Sequence, residues 1–520
     1  MTRAKNAADV PNVERDGTVA VDEETPLLEV VVAGHGRQKK KKMTPLPWFQ
    51  FSIVMFLQLA EPLTSQVISP FMPQLIRDLG ITGGNEAAVG YYVGMMQSIF
   101  FLTQALTILH WSRLSDSIGR KPVILIGLSG LTISMYSFGL SRTFWGLVLS
   151  RSLNGALNGN IGVIKSMMAE LTDETNISMA YAYFPIAWSS GSTLGPIIGG
   201  SLSKPAERFP GWFGNSEFHK KYPYFLACAV PATYSLISFV VIWVYLKETL
   251  PNPTPIRQYL TKRQKKPTSK LSKALDSQDP GQAGISHSLP VSGEASEGPN
   301  EKEHIPLRSL LTRRVITAAG NYAAISLVDI AFRAIQPLFL STPIEKGGLG
   351  LPPHIIGNLM SVYGIMNGFL QVFFFAKIVD RWGAKKTFIG GMISAIPAFA
   401  CYPLLNMLAR SQGLSNLVWI LAVTQILISI GMGLCYGSVF IFIAAAAPNR
   451  ASLGATNGLS QMTVSVMRAI GPGVASSLFS LSIAHNLAGG WLVYYILIGV
   501  VVGALYAASF LPKRLWAQAP

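Results

Sequence analysis

The stretch SRLSDSIGRKPVIL, Ser112 to Leu125, sets four charges (Arg113, Asp116, Arg120 and Lys121) between two long apolar runs. Its charged centre, DSIGRK at 116–121, returns as DRWGAK at 380–385. Two further stretches return in the same order. QLAEPLTSQVISPFMP at 58–73 resembles SLVDIAFRAIQPLFL at 326–340, each with an acid followed by a proline eight or nine residues on. LGPIIGGSLS at 194–203 resembles IGPGVASSLF at 470–479. Three matches in one order make two related halves, and two such halves of apolar spans suggest a carrier that rocks about a central site.

The composition agrees. Half of the 520 residues are hydrophobic, 13% are charged, and the mean hydropathy is +0.37. A soluble domain carries about a quarter charged residues, so lipid must cover much of this surface. The sequence predicts an all-α, polytopic membrane protein. A net charge of +16 could point to nucleic acid. The basic residues, however, fall in short clusters between apolar runs, as the positive-inside bias requires, and no nucleic-acid partner is expected. Cys228, Cys401 and Cys435 lie inside apolar runs without CxxC spacing and read as packing residues. The first 42 residues are polar and mixed in charge. No cleavable signal is therefore expected, and the first span is expected to act as signal anchor.

A spanning helix needs about 20 mostly apolar residues. Twelve windows qualify, near 48–70, 88–110, 121–140, 144–168, 179–202, 223–246, 315–340, 355–377, 387–407, 417–447, 455–483 and 490–511. With both termini cytoplasmic, 30 Lys and Arg fall in cytoplasmic segments and eight in the opposite loops. The other four of the 42 are Arg151, Lys165, Arg333 and Arg468. The expected organisation is a disordered tail over 1–47, a six-helix bundle over 48–248, a largely disordered loop over 249–313, a second bundle over 314–512 and a tail over 513–520. The one sequon, Asn176-Ile177-Ser178, falls on the cytoplasmic side and is expected to stay unmodified.

The motifs give the chain a family likeness. Leu114, Asp116, Gly119, Arg120 and Lys121 match the pattern G-x-L-A-D-R-x-G-R-K, with Ser112 and Ser117 in place of its first Gly and first Arg. G-x-x-x-G-P-x-x-G-G is met in full by Gly191, Gly195, Pro196, Gly199 and Gly200, and Arg151 stands four residues before Gly155. Over residues 48–512 the chain resembles the major facilitator superfamily. It is most similar to the twelve-span drug:proton antiporter branch, and within that to fungal and plant zinc-induced-facilitator-like carriers. The resemblance implies alternating access and exchange of an organic solute for protons. It also implies a gating role for the loop at Asp116, Gly119, Arg120 and Lys121, and for its second copy at Asp380, Gly383 and Lys385.

Physical reasoning assigns each motif a task. Gly119 permits a tight turn, and Asp116 can accept hydrogen bonds from a helix N-terminus across the interface of the halves. Simple topology, with charged loops holding spans in place, is the other reading. Small residues at every fourth position of the fifth span let a neighbour approach closely, and Pro196 removes a backbone donor.

Charges inside spans are costly in lipid. Glu61 is the first candidate for proton coupling, because a low-dielectric cavity favours the neutral carboxyl. A fixed ion pair with Arg151 or another cation is the alternative. Asp329 and Arg333, four apart, invite an intrahelical pair. Arg468 is the remaining deep cation, while Lys165 and Glu170 read as snorkelling. Polar residues at helical spacing, Gln58, Gln97, Asn154, Asn158, Asn321, Gln336 and Asn358 foremost, suggest a cavity lining, though each singly is as well read as a helix–helix hydrogen bond.

No metal-ligand cluster, P-loop, nucleophile elbow or HExxH occurs, so neither cofactor nor enzyme activity is expected. Glu23, Leu27 and Leu28 fit an acidic dileucine pattern, which would recruit a sorting adaptor and direct the protein to a vacuolar or lysosomal membrane; without it the plasma membrane is expected. The reading is a monomeric, proton-coupled exporter of a small organic solute, a drug-like compound, secondary metabolite or metal chelator. A facilitator or proton symporter for nutrient uptake is the alternative, and a non-transporting solute receptor ranks below both.

Overall fold

A computed structural model of the chain describes residues 44–173, 176–250, 253, 311–447, 453–513 and 515–516. The dileucine-like stretch and nearly all of the central loop lie outside these residues. Lipid offers no partner for a backbone N–H or C=O, so a long apolar run must satisfy its polar groups internally as helix. Twelve long helices follow among the described residues: α1 (Trp48–Gln66), α2 (Glu86–Ile118), α3 (Arg120–Leu140), α4 (Phe144–Leu157 continued by Asn160–Leu171), α5 (Ile177–Leu202), α6 (Phe225–Tyr245), α7 (Arg313–Ser341), α8 (Pro353–Phe373), α9 (Ala384–Gln412), α10 (Asn416–Ala446), α11 (Leu453–Ala484) and α12 (Leu492–Ser509). Eight of them, α3 and α6 to α12, are long and apolar enough to cross a membrane. α2 joins them if its pieces Glu86–Ile108 and His110–Ile118, set at 43°, count as one span. α4 falls short because it breaks at Asn158 and Gly159, where the sequence pattern predicts an unbroken window.

Local chemistry starts and stops these helices. The side chains of Asn85, Thr143 and Thr312 accept from the backbone N–H groups of Ala87, Gly146 and Val315, capping α2, α4 and α7. Gly119 (φ +110°) and Gly383 (φ +80°) take the left-handed conformations that end one helix and begin the next in each copy of the charged loop.

Packing follows the repeat. α1 packs on α5 as α7 packs on α11, and α3 on α6 as α9 packs on α12. The contact of α2 with α11 is mirrored by that of α8 with α5. The last two pairs join the halves. Both copies of the loop also make the same tether. Lys121 donates from Nζ to the Leu246 carbonyl at the end of α6 (2.8 Å), and Lys385 donates to the Ser509 and Leu511 carbonyls at the end of α12 (2.8 Å to Ser509).

Glycine and serine make the joining surface close. A Cβ on Gly90 or Gly94 of α2 would fall 2.3 Å from Ser480 Oγ or 2.7 Å from Ser476 Cβ of α11. One on Gly364 of α8 would fall 2.6 Å from Thr193 Oγ1 and 2.9 Å from the Ser192 backbone of α5. Ser189 and Ser361 donate to the Gly364 and Thr193 carbonyls (3.0 and 2.9 Å), and Gly473 N–H donates to Ser98 Oγ (2.9 Å). These contacts gather at the end of the bundle opposite the charged loops. On the same helical stripes nearer the loops, Leu106 is 66% exposed, Val372 57% and Met462 63%. The halves are joined at one end and parted at the loop end.

Candidate substrate and proton site

The charged loop is built differently from its sequence reading. Asp116 does not cross to the other half; it pairs with Arg120 of its own loop, and its side chain is 60% exposed. The anion at the N-terminus of α3 is Glu248, which accepts from the backbone N–H groups of Arg120 (2.8 Å) and Lys121 (3.0 Å). It lies so close that a Cβ on Gly119 would fall 2.5 Å from its Oε2. Arg120 is buried and donates to Glu170 from Nε (3.1 Å) and Nη2 (2.9 Å) and to Ser115 Oγ from Nη1 (2.7 Å). Thr249 also donates to Glu170. Glu170 is therefore a partner of the loop and not a side chain snorkelling to the interface. In the second copy Asp380 is exposed to solvent.

The antiporter-type motif has two faces. Gly191, Gly195 and Gly199 lie one turn apart and meet α1. Cβ atoms there would fall 2.6 Å from Pro62 Cβ, 2.9 Å from Gln66 Cβ and 1.8 Å from the Val67 carbonyl oxygen. Gly200 and the Pro196 carbonyl face α8, against Pro353, His354 and Gly357. One ten-residue string thus sets the packing inside a half and the packing between halves.

The deep charges divide into two kinds. In the second half Asp329 and Arg333 form a paired contact from Arg333 Nε (2.9 and 3.0 Å). Tyr436 of α10 donates to Asp329 (2.9 Å), and Arg333 donates to the Tyr363 hydroxyl of α8 (3.2 Å). This set ties three helices together. In the first half Glu61 is buried and has no ion pair among the described residues. The amides of Gln104 and Asn158 flank its carboxyl, and Lys165 and Arg468 stand within electrostatic reach. Yet Asn158 Nδ2 and Oδ1 and Gln104 Nε2 have no hydrogen-bond partner in good geometry. Arg151 makes no pair with Glu61. Its guanidinium lies 4.6 Å from the centre of the Phe100 ring, with Nε and Nη1 unpartnered.

The polar residues read as cavity lining also separate. Gln58, Asn154, Asn158 and Gln336 are buried, Gln97 is half-buried and Asn358 is exposed. Asn321 is engaged elsewhere: it donates to the Thr317 carbonyl (2.9 Å) and to that of Ala507 on α12 (3.2 Å). Asn176, the sequon residue, is buried with its amide on the Thr44 carbonyl. The three cysteines are buried free thiols. Among the described residues, no three His, Cys, Asp or Glu side chains come together in a metal-like group.

An all-helical membrane protein of two repeated, partly separated halves with polar side chains between them has the architecture of a carrier. The family model of the Major Facilitator Superfamily matches residues 54–472 and again 315–515, the latter starting in α7, and the chain belongs to that superfamily. It is not an enzyme family. Relatives include the multidrug transporter mfsB of Aspergillus fumigatus, 26% identical over 90% of this chain and 85% of that protein. Another is ZINC INDUCED FACILITATOR 1 of Arabidopsis thaliana, 28% identical over 91% and 93%. The crystal structure of the human organic anion transporter MFSD10 superimposes with a TM-score of 0.55 at 20% identity, covering 89% of this chain and all of the other. That likeness shows the shared fold.

Proposed function

We propose that this facilitator-superfamily carrier is an exporter that exchanges a small organic solute for protons, with Glu61 as the proton-binding group. The observation that carries the reading is the Glu61 site. A buried carboxyl that makes no direct ion pair among the described residues, with Lys165 and Arg468 within electrostatic reach, sits beside three unpartnered amide atoms, on the side where the halves are parted. A charged carboxylate and a neutral acid interact very differently with Lys165 and Arg468, so gain or loss of one proton changes the balance of charge between the halves. Asp329 is already held by Arg333 and Tyr436 and serves to brace the second half. The full GPxxGG string and relatives named as multidrug transporters support export over nutrient uptake. Drug-like compounds, secondary metabolites and small metal chelators are the substrate classes to test. In the same reading the charged loops and both termini face the cytoplasm, the structure is its cytoplasm-open state, and the protein works as a monomer in a vacuolar-type or plasma membrane.

The test is transport in liposomes with an imposed pH gradient, using a panel of fluorescent amphipathic dyes. Glu61→Gln should lose gradient-driven flux while keeping solute exchange. Equal gradient-driven flux in both proteins removes Glu61 from the mechanism.

A further inference from the structure

Arg151, Arg333 and Arg468 sit deep in the spans, and each is held differently. Arg333 is paired with Asp329. Arg151 lies against Phe100 with Nε and Nη1 enclosed. Arg468 of α11 is half-buried and makes no hydrogen bond or ion pair among the described residues, and none of its nitrogens is enclosed. An unpaired cation inside a span is costly, and such residues mark the paths of solutes and ions.

The surroundings of Arg468 come from both halves. Glu61 of α1 and Lys165 of α4 stand within electrostatic reach, as do Tyr322 of α7 and Tyr436 of α10. Gln461 lies two turns before Arg468 on the same face of α11. It accepts from the Tyr322 hydroxyl at Oε1 (3.4 Å), while its amide nitrogen makes no hydrogen bond and is not enclosed. Phe440, one turn past Tyr436, is 49% exposed and packs edge-on against Tyr322, 5.2 Å between ring centres. Beside Glu61 there are thus an open guanidinium, an open amide N–H and an aromatic surface. The two donors suit an oxyanion, and the ring suits a flat apolar body.

We infer that Arg468 binds an anionic group of the transported solute, and that the solute is a zwitterion whose cationic group takes the proton's place at Glu61. The second half of the inference rests on the reading that the carrier exchanges solute for protons at Glu61. An anion alone on Arg468 would repel an ionised Glu61 and so favour a proton on it at the same time. Proton and solute would then cross together. Exchange requires them to compete, and a cationic group competes by pairing with the ionised carboxylate.

The full chain in detergent is titrated calorimetrically at neutral pH, without a gradient, with matched aromatic probes of two sizes. The larger are rhodamine B (zwitterion), its ethyl ester (cation) and fluorescein (anion); the smaller are phenylalanine, its methyl ester and phenylpropionate. In at least one series the zwitterion should bind wild type about 10- to 150-fold more tightly than the ester, the range of a charge-assisted hydrogen bond. Arg468→Gln should erase that preference without weakening the ester. Glu61→Gln should erase the preference for the zwitterion over the simple acid. Arg313→Gln, on the exposed start of α7, should change neither. Arg468 has no bond to lose, so Arg468→Gln without solute should melt no lower than wild type, whereas loss of an arginine that braced the helices would lower the melting temperature. The inference is overturned by equal binding of zwitterion and ester in both series, by a preference that survives Arg468→Gln, or by one lost in Lys165→Gln instead. Absence of gradient-driven flux in liposomes, with these binding results intact, would remove exchange at Glu61 and leave the solute assignment standing.

Discussion

Replacing Gly364 by Ala should shift the carrier toward the state in which its closed end opens. Gly364 lies on α8 facing α5, and the added Cβ would meet Thr193 Oγ1 at 2.6 Å and the Ser192 carbonyl carbon and oxygen at 2.9 Å. The Thr193 hydroxyl can rotate away, giving up its 3.0 Å bond to the Ser189 carbonyl. The Ser192 backbone cannot, because it is part of α5. Overpacking of this kind costs about 1–3 kcal/mol. Alanine also favours the helix over glycine by about 1 kcal/mol, but α8 is helical in both states, so that gain cancels in the equilibrium between them. The clash exists only while the halves touch. The closed end should therefore open roughly 5- to 150-fold more often.

The assay is labelling of Ser480→Cys, a 1% exposed position on α11 against Gly90 of α2. Cys228, Cys401 and Cys435, all buried, are replaced by Ala, and a membrane-impermeant maleimide is applied from the closed side. Gly364→Ala should raise the labelling rate by a factor within that range, up to the limit of a fully open population. Gly499→Ala on α12 is the control, since nothing lies within 4 Å of its added Cβ; it should leave the rate unchanged. Equal rates in wild type and Gly364→Ala, with both proteins monodisperse, would refute the claim that these glycines hold the halves together in one state only.

Other substitutions test the supports of the fold. Glu248→Ala removes the anion that accepts from Arg120 and Lys121 N–H and should cost about 1–2 kcal/mol, read as a lower melting temperature in detergent; Glu248→Gln should fall between it and wild type. Gly199→Ala forces a Cβ onto the Val67 carbonyl oxygen at 1.8 Å, a clash within one half, and should lower yield and melting temperature without raising Ser480→Cys labelling. Tyr224 donates to Asp78 just before α6, and burial with that neighbouring carboxylate pushes its phenol well above the usual value. A raised folded pKa means the unfolded chain ionises first. Tyr224 therefore withdraws stability as pH rises past about 10, and the melting temperature of Tyr224→Phe should fall less steeply there than that of wild type.

Much of this architecture is visible in the sequence because it is local. Gly119 and Gly383 mark their turns without help from the rest of the chain, and the 191-195-199 spacing is a helical face by arithmetic alone. The tenth window, read as 417–447, is a helix over Asn416–Ala446, because lipid forces apolar residues to be helical almost wherever they occur. The gaps arise where a residue's role depends on distant chain. Glu248 sits 128 positions from Arg120 and Glu170 fifty, and no spacing rule links them. Within the loop the sequence offers Asp116 as the helix-capping acid, because it is the nearest acid along the chain. Asn321 read as cavity lining, as its periodicity allows, but the end of α12 takes its amide. The break at Asn158 and Gly159 was hidden for a related reason. Hydropathy sees an apolar window, whereas the break puts Asn158, with both amide atoms unpartnered, beside Glu61. A polar backbone interruption inside lipid is tolerated only where protein or a water-filled cavity surrounds it. The site that sequence reading resolves least is thus a place where the rules for lipid-facing helix are broken, and that breach is the reason to seek proton and solute there.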